Sequence, residues 1–300
     1  MLGTPLIHDR RFLALIPRRP VAEVLWTGGV FTEGPVWFAD HQCLLWSDIP
    51  ANRIMRLTAA GQVDVFRADA NHANGNTRDR EGRLVTCEHS ARRVTRTEVD
   101  GAITVLADSH QGRPLNSPND VVVKSDGSIW FTDPEYGIRL NIPGGERHQP
   151  AENVFRVDPL SGTVDSVAAD FDKPNGLAFS PDETVLYVGD SAVTDGPERN
   201  SHIRRFTVGA DGTLGGGEVF AATRGVPDGM RTDIEGNLWA SAGDKIDVYA
   251  PDGRLLGQVV DFPDPVTNLT FGGIDCDHIY VTAGGGLFSF RVAIAGAQRP

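Results

Sequence analysis

One local pattern occurs six times along this chain of 300 residues, beginning at positions 33, 74, 119, 175, 228 and 268. Successive repeats are therefore 40 to 56 residues apart. The residues that open them all carry a side-chain oxygen: Glu33, Asn74, Asn119, Asn175, Asp228 and Asn268. Repeats of this length that contain several short strands are typical of β-propellers.

The repeat that begins at Asn119 shows how one unit is built. The strand VVVK is followed by the turn SDG and the strand SIWFTD, and after an insertion NVFRVD and TVDSVA supply two more strands. Each run is short, rich in Val, Ile, Phe or Trp, and bounded by turn residues. Helical periodicity is nearly absent between residues 21 and 292. The sequence predicts an all-β fold, a six-bladed β-propeller.

The repeats also predict how the domain is bounded. We expect one propeller over residues 21–292, an N-terminal arm (1–20) and a C-terminal tail (293–300). Because the last repeat supplies only three strands, segment 21–28 is predicted to close the ring as the outer strand of the last blade. Apolar residues of the arm are expected to pack on the propeller or against a partner chain, which would allow a homodimer.

Composition narrows the classes of partner. The formal charge of −12 argues against binding to a nucleic-acid backbone, which requires a basic surface. The three cysteines form no CxxC, so neither a zinc site nor a disulfide framework is indicated. The first 20 residues lack an apolar run long enough for a signal peptide or a membrane span, so a cytoplasmic protein without membrane contact is expected.

The opening residues of the repeats predict a binding site. The first strand of each blade of a propeller lines the central channel, so the six side chains should converge there. A ring of carboxylate and amide oxygens suits a hard cation such as Ca²⁺, or Mg²⁺ with more waters. The alternative is that Asn and Asp before Gly cap their own turns. Glu33 has no such turn preference and yet stands in the same register.

His89 and a set of recurring acidic residues can each be structural or functional, and common catalytic motifs are missing from the sequence. His89 could face the channel, but a structural histidine is the more common case. An acidic residue recurs at the end of the second strand and is interpreted as a hydrogen-bonding residue of turns and blade contacts: Asp48, Glu88, Asp133 and Asp190. GxSxG, HExxH and P-loop motifs are absent.

Four longer motifs carry a family resemblance: EGPVW, SPNDVVVKSDGSIWFTDPEYGI, PNGLAFSPDETVLYVGDS and VPDGMRTDIEGNLWAS. Over roughly residues 22–292 the chain resembles the gluconolactonase/SMP-30/luciferin-regenerating-enzyme group of six-bladed propellers, and most nearly the bacterial gluconolactonases. The resemblance implies metal ligands at Glu33, Asn175 and Asp228, with Asn119 on or near the metal. Animal members have an arginine where this chain has Ser117, so their sugar preference does not carry over.

The resemblance and the oxygen ring together predict a hydrolase of carboxylic ester bonds, a lactonase acting on a sugar lactone such as gluconolactone. The cation, Ca²⁺ in preference to Mg²⁺, Mn²⁺ or Zn²⁺, would polarise the carbonyl. Asp228 is the predicted catalytic residue, as base, water-orienting group or nucleophile. Asn119, Asn74 and Tyr136 are predicted to bind substrate. The insertions at 136–152 and 192–201 are expected over the binding face.

Two other functions remain open at this point. The same ring could polarise a phosphoryl oxygen in a phosphotriesterase of the fluorophosphatase type. The propeller could also be a non-catalytic binding module in which calcium ties the blades together, because a fold does not fix a function.

Overall fold

A computed structural model describes residues 3–17, 20–139 and 145–297. The remaining parts of the predicted arm, insertion and tail, at 1–2, 18–19, 140–144 and 298–300, lie outside the described residues. Six antiparallel sheets of at least four strands form the predicted six-bladed β-propeller. The cation predicted in the central channel stays a prediction.

The first two strands of the chain, β1 (Leu6–Ile7) and β2 (Glu23–Thr27), belong to the last two blades. Blade 1 follows with β3 (Thr32–Phe38), β4 (Cys43–Asp48), β5 (Arg53–Leu57) and β6 (Val63–Ala68). Blade 2 consists of β7 (Ala73–Arg78), β8 (Leu84–Glu88), β9 (Arg93–Thr97) and β10 (Ile103–Ala107). A small hairpin, β11 (Ser109–His110) and β12 (Arg113–Pro114), leads to blade 3.

Blade 3 consists of β13 (Val121–Val123), β14 (Ile129–Asp133), β15 (Glu152–Val157) and β16 (Val164–Phe171), with a one-turn helix α1 (Tyr136–Arg139) after β14. Blade 4 consists of β17 (Pro174–Phe179), β18 (Val185–Asp190), β19 (His202–Val208) and β20 (Leu214–Ala222). Blade 5 consists of β21 (Met230–Thr232), β22 (Leu238–Ser241), β23 (Ile246–Tyr249) and β24 (Leu255–Val259), and blade 6 of β25 (Val266–Gly272), β26 (His278–Ala283) and β27 (Gly286–Arg291).

The ring closes between the two ends of the chain. The segment predicted to do so, 21–28, contains β2, which pairs with β27 and gives blade 6 its fourth strand. The first strands of the six blades contact one another in sequence, from β3 through β7, β13, β17 and β21 to β25 and back to β3. They are therefore the inner strands, and their side chains define the channel.

The arm lies on the outside of the propeller. Strand β1 pairs with β24 as a fifth strand of blade 5, and a 3₁₀ turn follows at Arg10–Ala14. Phe12, Leu15 and Ile16 are buried in a cluster shared with blades 5 and 6. These three side chains are therefore shielded from solvent by blades 5 and 6 of the same chain. The homodimer through this arm stays a prediction.

The core lies between blades and depends on large aromatic residues. Trp46, Trp130 and Trp239 are fully buried, and each lies in the second strand of its blade. A buried aromatic side chain removes roughly 150–250 Å² from water. This packing fixes neighbouring blades against each other and so fixes the inner strands.

Candidate active site

The candidate residues lie at one end of the channel because the strands of each blade are antiparallel. The start of a first strand faces the end of a second strand, as Thr32 faces Asp48 and Pro174 faces Asp190. Glu33, Asn74 and Asn175 are each the second residue of a first strand. Loops after the second strands, including both insertions, therefore lie at the same end as the ring.

Glycines after the ring residues serve close approach between blades. A Cβ at Gly176 would lie 2.1 Å from the backbone oxygen of Asp228, and one at Gly34 would lie 2.3 Å from that of Asn74. In both cases the glycine of one blade is in direct contact with the backbone of the ring residue of the next blade. The Asx-Gly pairs Asn74-Gly75 and Asn175-Gly176 lie within strands, so the turn alternative does not describe them.

Three carboxylates lie near one another in the channel. Glu33 is buried, and its Oε2 accepts hydrogen bonds from Gly34 N (2.6 Å) and from Asn268 Nδ2 (3.1 Å). Burial, together with the negative charge of Asp120, raises the pKa of Glu33 to about 8. Burial raises the pKa of Asp228 well above its usual value, and the charges of Glu33 and Asp120 add to this. Without a counter-ion these groups disfavour one another's ionisation.

Asp120 and Arg231 are site residues that the repeat analysis missed. Asp120 is buried, its Oδ1 accepts from Val121 N (2.9 Å), and its Oδ2 has no hydrogen-bond partner. Burial raises its pKa, and Arg231, with Nη1 3.8 Å from Oδ2, opposes the shift. Both residues are adjacent to repeat motifs, in SPND and GMRT, but a single sequence gives no sign that they face the same channel.

The amides of the ring are not equivalent. Asn268 donates to Glu33, and its Oδ1 accepts from Leu269 N at 2.8 Å, so both ends of this amide are used. Asn74 and Asn175 are buried, and their Oδ1 atoms have no hydrogen-bond partner. Asn119 is buried beside them, with its backbone bonded to Thr132 O and Gly75 N. Fewer than the six predicted side chains therefore have an oxygen available to a ligand, because the amide of Asn268 is already used within the protein.

These residues fit a hard cation by their chemistry. Unpartnered buried oxygens of Asn74, Asn175 and Asp120 stand with the carboxylates of Glu33 and Asp228. A divalent ion would satisfy such oxygens and reverse the repulsion between the carboxylates. Within the described residues no group of three or more His, Cys, Asp or Glu could hold a metal, so any site must rely on amide oxygens as well.

The two insertions contact each other and together form one wall of the candidate site, at the end of the channel where the ring residues lie. Tyr136 in α1 places its hydroxyl 3.1 Å from Thr194 Oγ1, in the 3₁₀ turn Ala192–Asp195 of the second insertion. Lys173 is fully buried, its Nζ bonds both oxygens of Asp195 at 2.6 Å, and it lies 5.0 Å from the centre of the Tyr136 ring. Burial raises the pKa of Tyr136, and the charge of Asp228 contributes, so the ring lies near that carboxylate.

Ser117 supports this wall. Its Oγ donates to Pro134 O (2.6 Å) and accepts from Gly137 N (3.0 Å), and the residue is fully buried. A Cβ on Gly137 would lie 2.8 Å from Ser117 Cβ and 2.7 Å from His89 Cγ. The helix α1 can therefore dock only because residues 117 and 137 are small. Ser117 holds the wall and does not itself reach a substrate.

The acidic residues at the ends of the second strands hold the segments that lead into the first strands. Asp48 accepts from Val30 N, Asp133 from Asn116 N and Asp190 from Lys173 N, at 3.0, 2.7 and 3.0 Å. Glu88 instead pairs with Arg93 and with Arg67 of blade 1. These contacts match the interpretation of the four residues as hydrogen-bonding groups.

Comparison with known proteins gives the family. The family model described as the SMP-30/Gluconolactonase/LRE-like region matches residues 31–285. The chain belongs to this family. It is 32% identical to a gluconolactonase of Zymomonas mobilis, over 83% of this chain and 75% of that protein. It is 30% identical to a pentonolactonase of Haloferax volcanii, over 89% and 86% of the two chains.

A solved relative shares the whole architecture of this SMP-30/gluconolactonase family member. The structure of a gluconolactonase from Xanthomonas campestris superposes with a TM-score of 0.89 at 34% identity, covering 97% of this chain and 95% of that one. The family resemblance read from the four motifs is thus confirmed. The assignment of individual ligands and catalytic groups stays a prediction.

No helix within 3–17, 20–139 and 145–297 of this family member has the length and apolar character needed to cross a membrane. The cytoplasmic location stays a prediction.

Proposed function

We propose that the protein is a metal-dependent lactonase that opens a sugar lactone to its hydroxy acid. The observation that carries the proposal is the set of mutually repelling carboxylates and buried, unpartnered amide oxygens at one end of the channel. The gluconolactonase and pentonolactonase relatives support the substrate class.

The proposed cation ligands are Glu33, Asn175, Asp228 and Asn119. Glu33 would use Oε1, since Oε2 already accepts two hydrogen bonds from the protein. When bound, a divalent ion, most suitably Ca²⁺, would supply positive charge that polarises the lactone carbonyl. Asp120 and Arg231 would form an ion pair beside these ligands.

Asp228 is proposed as the group that acts on water. It is mostly buried but retains some exposed surface, whereas Glu33 is buried, so it is the ring carboxylate that solvent and substrate can reach more readily. Its carboxylate would orient the water and accept its proton as the carbonyl carbon is attacked. The ring C–O bond then breaks, the ring oxygen takes a proton, and a hydroxy acid is released. Asn119 and Asn74 would bind substrate hydroxyls, and Tyr136 would form the wall opposite Asp228.

The test is reconstitution of the metal-stripped protein with Ca²⁺, Mg²⁺, Mn²⁺ or Zn²⁺, assayed on gluconolactone and on a fluorophosphate. We expect hydrolysis of the lactone only after a divalent ion is restored, together with a calorimetric binding signal for that ion. Faster turnover of the fluorophosphate would favour the phosphotriesterase. Binding of calcium with no turnover of any lactone would favour the non-catalytic module.

A further inference from the structure

His89 is a buried histidine that the proposed mechanism does not use. It lies at the end of the channel that carries the ring residues. It directly follows β8, whose last residue is Glu88, and is 3% exposed. Its Nε2 lies 3.0 Å from Nδ2 of Asn74, one of the ring residues. His89 is therefore a titratable side chain in direct contact with Asn74, a residue that is predicted to bind substrate.

The structure places the nitrogen of the Asn74 amide, and not its oxygen, against Nε2 of His89. An amide nitrogen can only donate, so Nε2 accepts and the ring proton is on Nδ1. Burial, with a contribution from His72, lowers the pKa of His89 to about 3, so the imidazole is neutral at ordinary pH. Asn74 therefore has its NH₂ group committed to His89, while its Oδ1 is buried without a hydrogen-bond partner.

The imidazole cannot easily turn away from this geometry. Gly137 of α1 packs on the ring so closely that a Cβ there would lie 2.7 Å from His89 Cγ. The wall formed by the insertions thus fixes His89, and His89 fixes the amide. A freely rotating Asn74 could present either its oxygen or its NH₂ group to the channel, whereas the fixed amide presents the oxygen.

We propose that His89 is a positioning residue that orients the Asn74 amide so that Oδ1 accepts a hydrogen bond from a substrate hydroxyl. This rests on the proposed lactonase function and narrows its substrates to hydroxylated lactones. A site built to bond a hydroxyl discriminates strongly against an analogue that lacks it, because a buried acceptor is then left unsatisfied.

The experiment compares D-glucono-1,5-lactone with δ-valerolactone, which has the same ring size and no hydroxyl groups. His89→Leu should lower kcat/KM for gluconolactone at least about tenfold, mainly through KM, and change that for valerolactone by less than about threefold. His89→Gln offers Asn74 an acceptor again and should restore most of the loss. His278→Asn, at the opposite end of blade 6, is the matched control, and calcium affinity should be unchanged in all three.

Three outcomes would overturn the proposal: equal losses on both lactones, no recovery in His89→Gln, or weaker calcium binding, which would assign Asn74 to the cation. If the wild-type protein hydrolyses neither lactone, the proposed function fails separately. Calorimetric binding of 1,5-anhydro-D-glucitol, which has the hydroxyls but no carbonyl, then decides. Weaker binding in His89→Leu than in wild type supports the role of His89, and equal or absent binding contradicts it.

Discussion

Asp228 is the ring carboxylate that solvent reaches, whereas Glu33 and Asp120 are buried. We expect Asp228→Asn to lower kcat for lactone hydrolysis at least about 100-fold, because the amide cannot take a proton from water. Stability should not fall, since the change removes one of several carboxylates that repel one another. Steady-state kinetics and thermal melting check both parts.

Asp211→Asn, at an exposed turn of blade 4, is the matched control for charge removal. Turnover of Asp228→Asn close to that of wild type would remove Asp228 from the mechanism.

Gly176 tests whether the glycines of the ring serve blade contact. An Ala Cβ at this position would lie 2.1 Å from Asp228 O, so blades 4 and 5 would have to separate. We expect Gly176→Ala to lower the free energy of unfolding by about 1–3 kcal/mol or more, as overpacking does. Gly145→Ala, where a Cβ meets nothing within 4 Å, should leave urea unfolding unchanged. Equal unfolding curves for both variants would show that the blades tolerate the methyl group.

The residues of the ring were predictable to the extent that they share a register. Glu33, Asn175 and Asp228 recur at the same point of a repeat, and a channel brings such points together. The hydrogen bonding of the Asn268 side chain was not predictable, because its partner, Glu33, is 235 positions away in the chain. Asp120 and Arg231 were missed for the same reason, since their pairing exists only after blades 3 and 5 have met.

At the scale of elements, the insertion that carries α1 is anchored at both ends by a buried acid. Asp133 ends β14 and Glu152 begins β15, and burial raises the pKa of each to about 7. A raised pKa means that the folded state holds a proton which the unfolded state has already lost above about pH 4–5. The contribution of these groups to stability is therefore complete at lower pH and is lost as the pH rises through 7.

We expect the metal-free protein to lose stability between pH 5 and pH 8, and Asp133→Asn to reduce that loss by on the order of 2 kcal/mol. The amide keeps an acceptor for Asn116 N, so the structural hydrogen bond can persist. Urea unfolding at the two pH values measures the difference. An unchanged slope in the variant would show that Asp133 does not titrate in this range.

Elements with their own sequence pattern were predicted, and elements that depend on packing were not. The strands of blades 3 and 5 follow from alternating apolar runs and turn residues. The strand β1 has two residues and exists because β24 offers an edge. The helix α1 has four residues and depends on the small side chain of Ser117 beneath it. Neither carries a signal that a pattern of apolar residues could reveal.

For the whole molecule, cation binding and stability should be linked. A ligand that binds only the folded state at 100 times its Kd adds about 2.7 kcal/mol. We expect Ca²⁺ to raise the Tm of the stripped protein and to remove part of its loss of stability at high pH, because Glu33 and Asp228 then ionise favourably.

Differential scanning calorimetry of Glu33→Gln, with the exposed Glu218→Gln as control, measures this linkage. The Glu33 variant should show little or no calcium-dependent shift. A shift as large as that of wild type would mean that the ion binds elsewhere.

The propeller ring can close only when the last blade is present, because one of its four strands comes from the beginning of the propeller sequence. Strand β2 precedes blades 1 to 5 in the chain, whereas its partner β27 follows them. A growing chain that stops before residue 266 has five blades, strand β2 has no partner strand, and the sides of blades 1 and 5 that contact blade 6 are uncovered. Chaperone contact or proteolysis during translation should therefore concentrate on the gap between blades 5 and 1, and should end when the final hairpin leaves the ribosome.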